Sequence, residues 1–212
     1  MINVLVVDDH DLIRAGLARM LKDDRHIKVV GEAASGEEAL TAVRNLQPDV
    51  VLMDLKMPGI GGLEATRRIK KSHEKVRVVV VSAFIDDPFL DRVMDSGASA
   101  YVSKNSHISE MIKAIKVVAD GQRYVSPDIA QAMALKQSNG SPFAQLSERE
   151  LQIAMMIIDC QKVQHISDKL CLSPKTVNTY RYRIFEKLEI NSDVELALAA
   201  VKHGLLDVDG PV

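Results

Sequence analysis

Val50-Val51-Leu52-Met53-Asp54-Leu55-Lys56-Met57-Pro58-Gly59 runs four apolar residues into one acid and then into a turn. Val4-Leu5-Val6-Val7-Asp8-Asp9 does the same with two acids. Apolar runs this short, continuous rather than alternating, are expected of strands covered on both faces. Further runs stand at residues 29–30, 78–81 and 101–102. Helical patterns fill the gaps. Leu12, Ala15, Leu17 and Leu21 mark the first, and Ser35-Gly36-Glu37-Glu38 is a capping box opening the second. Gly61-Gly62 precedes the third, Asp87-Pro88 opens the fourth, and Ile108, Ile112 and Ile115 stripe the fifth. Five strands alternating with five helices predict a parallel sheet with right-handed crossovers. Residues 1–121 therefore read as a flavodoxin-like, doubly wound α/β domain with five parallel strands in the order 2-1-3-4-5.

Beyond this domain the chain changes character. Residues 122–145 form a helical linker. In it Ser126-Pro127 reads as N-cap and first helical position of a short helix to about Lys136. Gln137-Ser138-Asn139-Gly140-Ser141-Pro142 is the flexible stretch. Residues 146–207 read as helices only. Ser147-Glu148-Arg149-Glu150 is a capping box before the stripe of Leu151, Ala154, Met155 and Ile158. A second helix covers about 162–170. Ser173 and Pro174 cap and start a third, which runs to about Leu188. Ser192-Asp193-Val194-Glu195 caps a fourth, with Gly204 as its C-cap. This is an all-α, four-helix helix-turn-helix domain.

Composition narrows the function. The 212 residues suit one or two domains, and 47% hydrophobic with 26% charged residues is ordinary for a globular chain. Lys plus Arg number 27 against 29 Asp plus Glu, a net charge of −2. This excludes a wholly basic nucleic-acid coat and an acidic disordered tail. No unbroken apolar run exceeds six residues, as in 196–201, far short of a membrane span. The first residues lack the basic start and long apolar core of a signal peptide. Two cysteines, Cys160 and Cys171, are too few for a disulfide framework and read as buried thiols. The expected setting is soluble, reducing and cytoplasmic. Charge is nevertheless uneven. Residues 160–188 hold Lys162, Lys169, Lys175, Arg181, Arg183 and Lys187 against Asp168 and Glu186, a local net of +4. Such a basic stripe in a near-neutral chain points to one nucleic-acid face.

The acids supply the chemistry. Ligand sites in open parallel sheets lie beyond the carboxyl ends of strands, where the strand order reverses. There the first and third strands are neighbours, so Asp8, Asp9 and Asp54 would converge. Their repulsion is unfavourable unless a cation or protons compensate. An oxygen-lined site with few protein ligands suits Mg²⁺. Asp54 then reads as a nucleophile toward a phosphoryl group, with the metal and a fixed lysine spreading the charge. Ser82 ends the fourth strand and Lys104 follows the fifth, so a hydroxyl and a cation enter the same pocket. Flavin binders and phosphatases share this sheet. Here, however, the loop Asp8-Asp9-His10-Asp11 would repel a flavin phosphate, and Lys56 stands where an Asp-x-Asp phosphatase carries its second acid.

Val6-Val7-Asp8-Asp9-His10, Leu52 to Gly59, Val81-Ser82-Ala83 and Gly97-Ala98-Ser99-Ala100-Tyr101-Val102-Ser103-Lys104 resemble the receiver domain of bacterial two-component response regulators. The resemblance covers residues 1 to about 120. It implies that Asp54 is the phospho-acceptor. Asp9, Asp54 and the backbone carbonyl of Lys56 would bind Mg²⁺ directly, and Asp8 through water. It further implies that Ser82 and Lys104 contact the phosphoryl oxygens and that Tyr101 is a switch aromatic, turning inward as Ser82 is drawn to the phosphate. Ser82 stands where Thr is commoner, and keeps the hydroxyl. Without that role Tyr101 is a half-buried aromatic at a sheet edge.

The third C-terminal helix buries Val177, Ile184 and Leu188 and leaves Asn178, Thr179 and Tyr182 on another face. Asn bonds adenine and Thr meets a thymine methyl. Lys175, Thr176, Arg181, Arg183 and Lys187 flank them as phosphate contacts. Leu146-Ser147-Glu148-Arg149-Glu150, residues 166–177 and Ile184-Phe185-Glu186-Lys187-Leu188 resemble the LuxR-type DNA-binding domain. Joined to a receiver, this resembles the NarL/FixJ class of response regulators. The stretch Cys160 to Ser167 and the run 178–183 are similar to the GacA/UvrY/SirA subfamily. The resemblance implies a sensor histidine kinase, of the hybrid kind, as donor. It also implies double-stranded promoter DNA as target and a homodimer on activation. The fourth helix, around residues 194–201, is either a dimer surface or domain core. The competing expectation is a constitutive DNA binder with an inert receiver. The histidines show no zinc-ligand spacing, and Met53, Met57, Met155 and Met156 read as packing.

Overall fold

The computed structural model describes residues 1–82, 89–135, 141–203 and 205, the side chains of 89–91, 132–135 and 148 excepted. Asp87-Pro88, the middle of the linker and Gly204 lie outside the described residues. The chain divides into two compact units, Met1–Lys136 and Gln137–Val212.

In the first unit β1 (Ile2–Val7), α1 (Asp11–Leu21), β2 (Ile27–Ala33), α2 (Gly36–Leu46), β3 (Val50–Asp54), α3 (Gly61–Ser72), β4 (Arg77–Ser82), α4 (Phe89–Asp95), β5 (Ala100–Ser103) and α5 (Ile108–Ala119) alternate as expected. β6 (Tyr124–Val125) and α6 (Pro127–Leu135) follow. The sheet order is β2-β1-β3-β4-β5-β6, and every pairing is parallel. The five-strand expectation is thus corrected to six. Two residues are too short to show a period. β6 exists because the amides of Tyr124 and Ser126 donate to the carbonyls of Ser99 and Tyr101. It shields β5 from being the sheet edge.

Alternate strand residues feed opposite faces, as a pleat requires. Leu5, Val7, Val51, Met53, Val78, Val80 and Tyr101 pack with α2, α3 and Ile129 of α6. Val4, Val6, Val50, Leu52, Val79, Val81 and Val102 pack with α1 and α5. Register pairs Val7 with Met53, Asp54 with Val81, and Ser82 with Ser103, which levels the carboxyl ends of β1, β3, β4 and β5.

The second unit holds a 3₁₀ turn (Pro142–Gln145), α7 (Glu148–Ile158), α8 (Val163–Leu170), α9 (Pro174–Leu188) and α10 (Asp193–Lys202). α7 packs on α8, α9 and α10. Ser147 and Glu150 form the expected capping box, and Ser173 accepts the Thr176 amide with Pro174 behind it. Met53, Met57, Met155 and Met156 are buried, as packing requires. The cysteines are not: Cys160 and Cys171 are both exposed. Both have left-handed backbone just past a helix, at φ +57° and +52°, two residues beyond Ile158 and one beyond Leu170, past the apolar stripes that would have buried them. Among the described residues no helix is long and apolar enough to cross a membrane.

Candidate functional site

Asp8 follows β1, and its amide is fixed by the Ala33 carbonyl at 3.2 Å. Asp54 closes β3. Both side chains are buried, and Asp9 is half-buried. Ligand atoms of Asp8, Asp9, His10 and Asp54 all lie within 4.8 Å of one another. Lys104 Nζ bridges the acids, 2.7 Å from Asp8 Oδ2 and 2.8 Å from Asp54 Oδ2. Its backbone amide donates to the Ser82 carbonyl at 2.7 Å. The cation is thereby anchored to the end of β4.

Burial pushes the Asp54 carboxyl up to about 6, assisted by the charge of Asp8 and opposed by Lys104. Burial works against the Lys104 charge as well, but Asp54 and Asp8 outweigh it and hold that pKa above the usual lysine value. Lys56 stands in the turn after β3, where its amide donates to Asp54 Oδ1 at 3.2 Å. That turn is clamped from α2: Glu37 Oε1 accepts the Ile60 amide at 3.1 Å. The first turn of α3 lies directly on the end of β3. A Cβ on Gly62 would sit 1.8 Å from the Asp54 carbonyl oxygen, so only glycine fits.

His10 joins this cluster although its place in the Val6–His10 motif gave it no role. Its amide donates to Asp8 Oδ1 at 2.9 Å, and its Nδ1 is 2.9 Å from Asp9 Oδ1. Its direct sequence to Asp8-Asp9 was the available signal. Ser82 is buried at the end of β4. Tyr101, which without a switch role would be a half-buried edge aromatic, is 1% exposed. It faces inward in the same cluster as Ile129, because β6 and α6 cover it.

In the second unit α9 presents Lys175, Thr179, Tyr182 and Arg183 to solvent, with Asn178 and Thr176 half-buried. Tyr182 is 71% exposed, unusual for an aromatic without a partner to meet. Lys175, Asn178, Thr179 and Tyr182 share one face by helical spacing. Two expected phosphate contacts are placed otherwise. Arg181 makes a bidentate pair with Asp193, Nε–Oδ1 2.7 Å and Nη2–Oδ2 2.5 Å, and lies over the Phe185 ring. Lys187 Nζ is 2.6 Å from the buried carboxylate of Glu150. Both partners sit at helix starts, on α10 and α7, where acids are favoured. These two cations tie helices together. α10 is divided in the same way: Leu196 and Ala200 are core, while Val194 and Leu198 are 69% and 63% exposed.

A receiver-type sheet with an acid cluster at its strand ends, followed by a helix-turn-helix unit, defines the class of two-domain signalling regulators. Comparison with known proteins agrees. Residues 4–116 match the family "Response regulator receiver domain", and residues 144–200 match "Bacterial regulatory proteins, luxR family". The chain is 63% identical over 211 residues to response regulator GacA of Pseudomonas viridiflava, covering 98% of this chain and 99% of that one. It is 54% identical over 213 residues to response regulator UvrY of Escherichia coli K12, covering 99% and 98%. RcsB of Salmonella enterica serovar Typhimurium, solved bound to a promoter in the presence of the phosphomimetic BeF3⁻, shares the fold. The TM-score is 0.72 at 22% identity, with 95% and 98% covered. The chain belongs to the two-component response regulators of the NarL/FixJ, LuxR-type class, within the GacA/UvrY subfamily. It is a DNA-binding transcription regulator rather than an enzyme.

Proposed function

We propose that Asp54 accepts a phosphoryl group from a sensor histidine kinase of the hybrid kind, and that this switches dimerisation and promoter binding in the cytoplasm. The observation that carries the reading is Lys104 Nζ bridging Asp8 and Asp54 among convergent carboxylates. A divalent cation fits the same cluster. Asp9 Oδ1 and Asp54 Oδ2 are buried, and all donors in the cluster are hard oxygens apart from His10. Asp8, Asp9, Asp54 and the Lys56 carbonyl would hold Mg²⁺, whose positive charge would stabilise the phosphoryl oxygens.

An Asp54 carboxylate oxygen bonds to phosphorus as the P–N bond of the kinase phosphohistidine breaks, the electron pair staying with the imidazole. Lys104 exchanges part of its contact with Asp54 for a phosphoryl oxygen, and the Ser82 hydroxyl donates to another. The added charge of about −1.5 to −2 draws both residues inward. Ser82 faces Ser103 across the β4–β5 ladder, and Tyr101 lies two residues up that strand. Movement of Ser82 would therefore be felt at the Tyr101–Ile129 packing.

On DNA, Asn178, Thr179 and Tyr182 would read bases, while Lys175, Thr176 and Arg183 would take phosphates. Two copies would occupy half-sites about one turn apart, with Val194 and Leu198 as a candidate contact between them. Intact-protein and peptide mass spectrometry after acetyl phosphate with Mg²⁺ tests the acceptor. Wild type should gain one phosphoryl group, on the peptide containing Asp54, and Asp54→Asn should gain none. Equal phosphorylation of both proteins would remove Asp54 from the role.

A further inference from the structure

We infer that Arg14 is a positioning residue for the metal-binding acids, acting through the backbone between Asp8 and Asp9; this rests on the reading of the pocket as a divalent-cation site. Arg14 belongs to the first turn of α1 and touches no proposed ligand atom. Its Nη1 donates to the Asp8 carbonyl at 2.7 Å. Its Nη2 pairs with Asp11, and its Nε is 3.5 Å from Glu32 Oε2 on β2. The side chain is only 15% exposed.

The other groups around Asp8 show what this contact adds. The Asp8 amide is satisfied by Ala33. The carboxylate is satisfied by Lys104 and the His10 amide. β1 ends at Val7, so no strand ladder holds the Asp8 carbonyl. The guanidinium holds it instead. The plane of the Asp8–Asp9 peptide sets where the Asp9 side chain leaves the backbone, so a fixed carbonyl aims the Asp9 carboxylate at Asp54. A guanidinium suits this task because its fork is rigid and permanently charged. Asp11 and Glu32 brace it, and the Arg14 amide is itself held by the His10 carbonyl at 3.0 Å. The same cation, bonded to the Asp8 carbonyl, offsets part of the repulsion among Asp8, Asp9 and Asp54 before any metal enters.

The test uses the full chain and Mn²⁺ as probe, with free ion followed by electron paramagnetic resonance. Arg14→Ala should weaken Mn²⁺ binding by about tenfold or more, the range seen when a residue orienting a ligand is removed. Arg14→Lys keeps the charge but makes a single contact, and should recover part of the loss. Arg19→Ala, an exposed cation on the same helix, should bind as wild type. With acetyl phosphate, Arg14→Ala should raise the half-saturating Mg²⁺ concentration while the rate at saturating Mg²⁺ stays near that of wild type. A general loss of stability would lower the rate at all Mg²⁺ concentrations instead. Wild-type Mn²⁺ affinity in Arg14→Ala overturns the inference. If Arg14→Ala does not fold, Arg14→Lys decides, with wild-type affinity again overturning it. Failure of the wild type itself to bind Mn²⁺ would overturn the cation-site reading, and the inference with it.

Discussion

Asp54 is the residue on which the electrostatics of the first unit turn. Its folded pKa of about 6 lies above the ordinary 3.8 because burial disfavours the charged form. The ionised carboxylate therefore costs stability, fully so above about pH 6, and the cost is relieved as pH falls through 6 toward 3.8. In metal-free buffer Asp54→Asn should be more stable than wild type at about pH 7.5, by about 1–3 kcal/mol. The gain should shrink toward about pH 4.5. Urea denaturation at the two pH values checks this, and a constant difference would contradict it. On α9 the two arginines separate by their partners. Arg183 is exposed, and Arg183→Ala should flatten the log–log salt dependence of DNA affinity by about 0.9 without changing the melting temperature. Arg181 is engaged by Asp193, so Arg181→Ala should destabilise the second unit by about 1 kcal/mol and leave the salt slope unchanged. Tyr182→Ala should cost affinity on the specific site more than on random DNA. Equal losses on both would remove Tyr182 from base reading.

At the scale of elements, the β6–α6 segment converts β5 from an edge into an inner strand. Ile129 is fully buried against the Tyr101 cluster. Ile129→Ala should lower the stability of the first unit by about 2–5 kcal/mol, read as an earlier unfolding transition of the full chain. An unchanged transition would mean that α6 is not part of that core. What the sequence disclosed follows the strength of each local signal. Strands β1, β3 and β4 were legible because both faces are buried and every residue in the run is apolar. The caps at Ser147, Ser173 and Ser192 were legible because a hydroxyl or acid at a helix start has one mechanism. β6 was hidden, since a two-residue strand is created by its partner's register rather than by its own pattern. The pairing of Arg181 with Asp193 and of Lys187 with Glu150 was hidden too, because it joins separate helices. Cys160 and Cys171 misled for a related reason: small apolar residues usually pack inside, but helix ends in left-handed backbone carry these two outward. In the acid pocket Asp8, Asp9, Asp54, Ser82 and Lys104 could be read from strand ends, whereas His10 and Arg14 enter through backbone contacts that spacing does not show.

For the whole molecule, the charge division matches the two units. Residues 1–125 carry 18 basic and 18 acidic side chains, which cancel, and the basic stripe falls at 160–188 around α8 and α9. The proposed phosphoryl chemistry belongs to one unit and the DNA chemistry to the other, so regulation requires that Asp54 control what α9 does. The most direct measurement is DNA-binding affinity of wild type and Asp54→Asn, with and without acetyl phosphate plus Mg²⁺, with molar mass by light scattering on the same samples. Wild type should bind more tightly and gain mass with phosphodonor, and Asp54→Asn should not respond. Identical affinity and mass for both proteins under all conditions would contradict this, leaving a DNA binder whose acid pocket exerts no control.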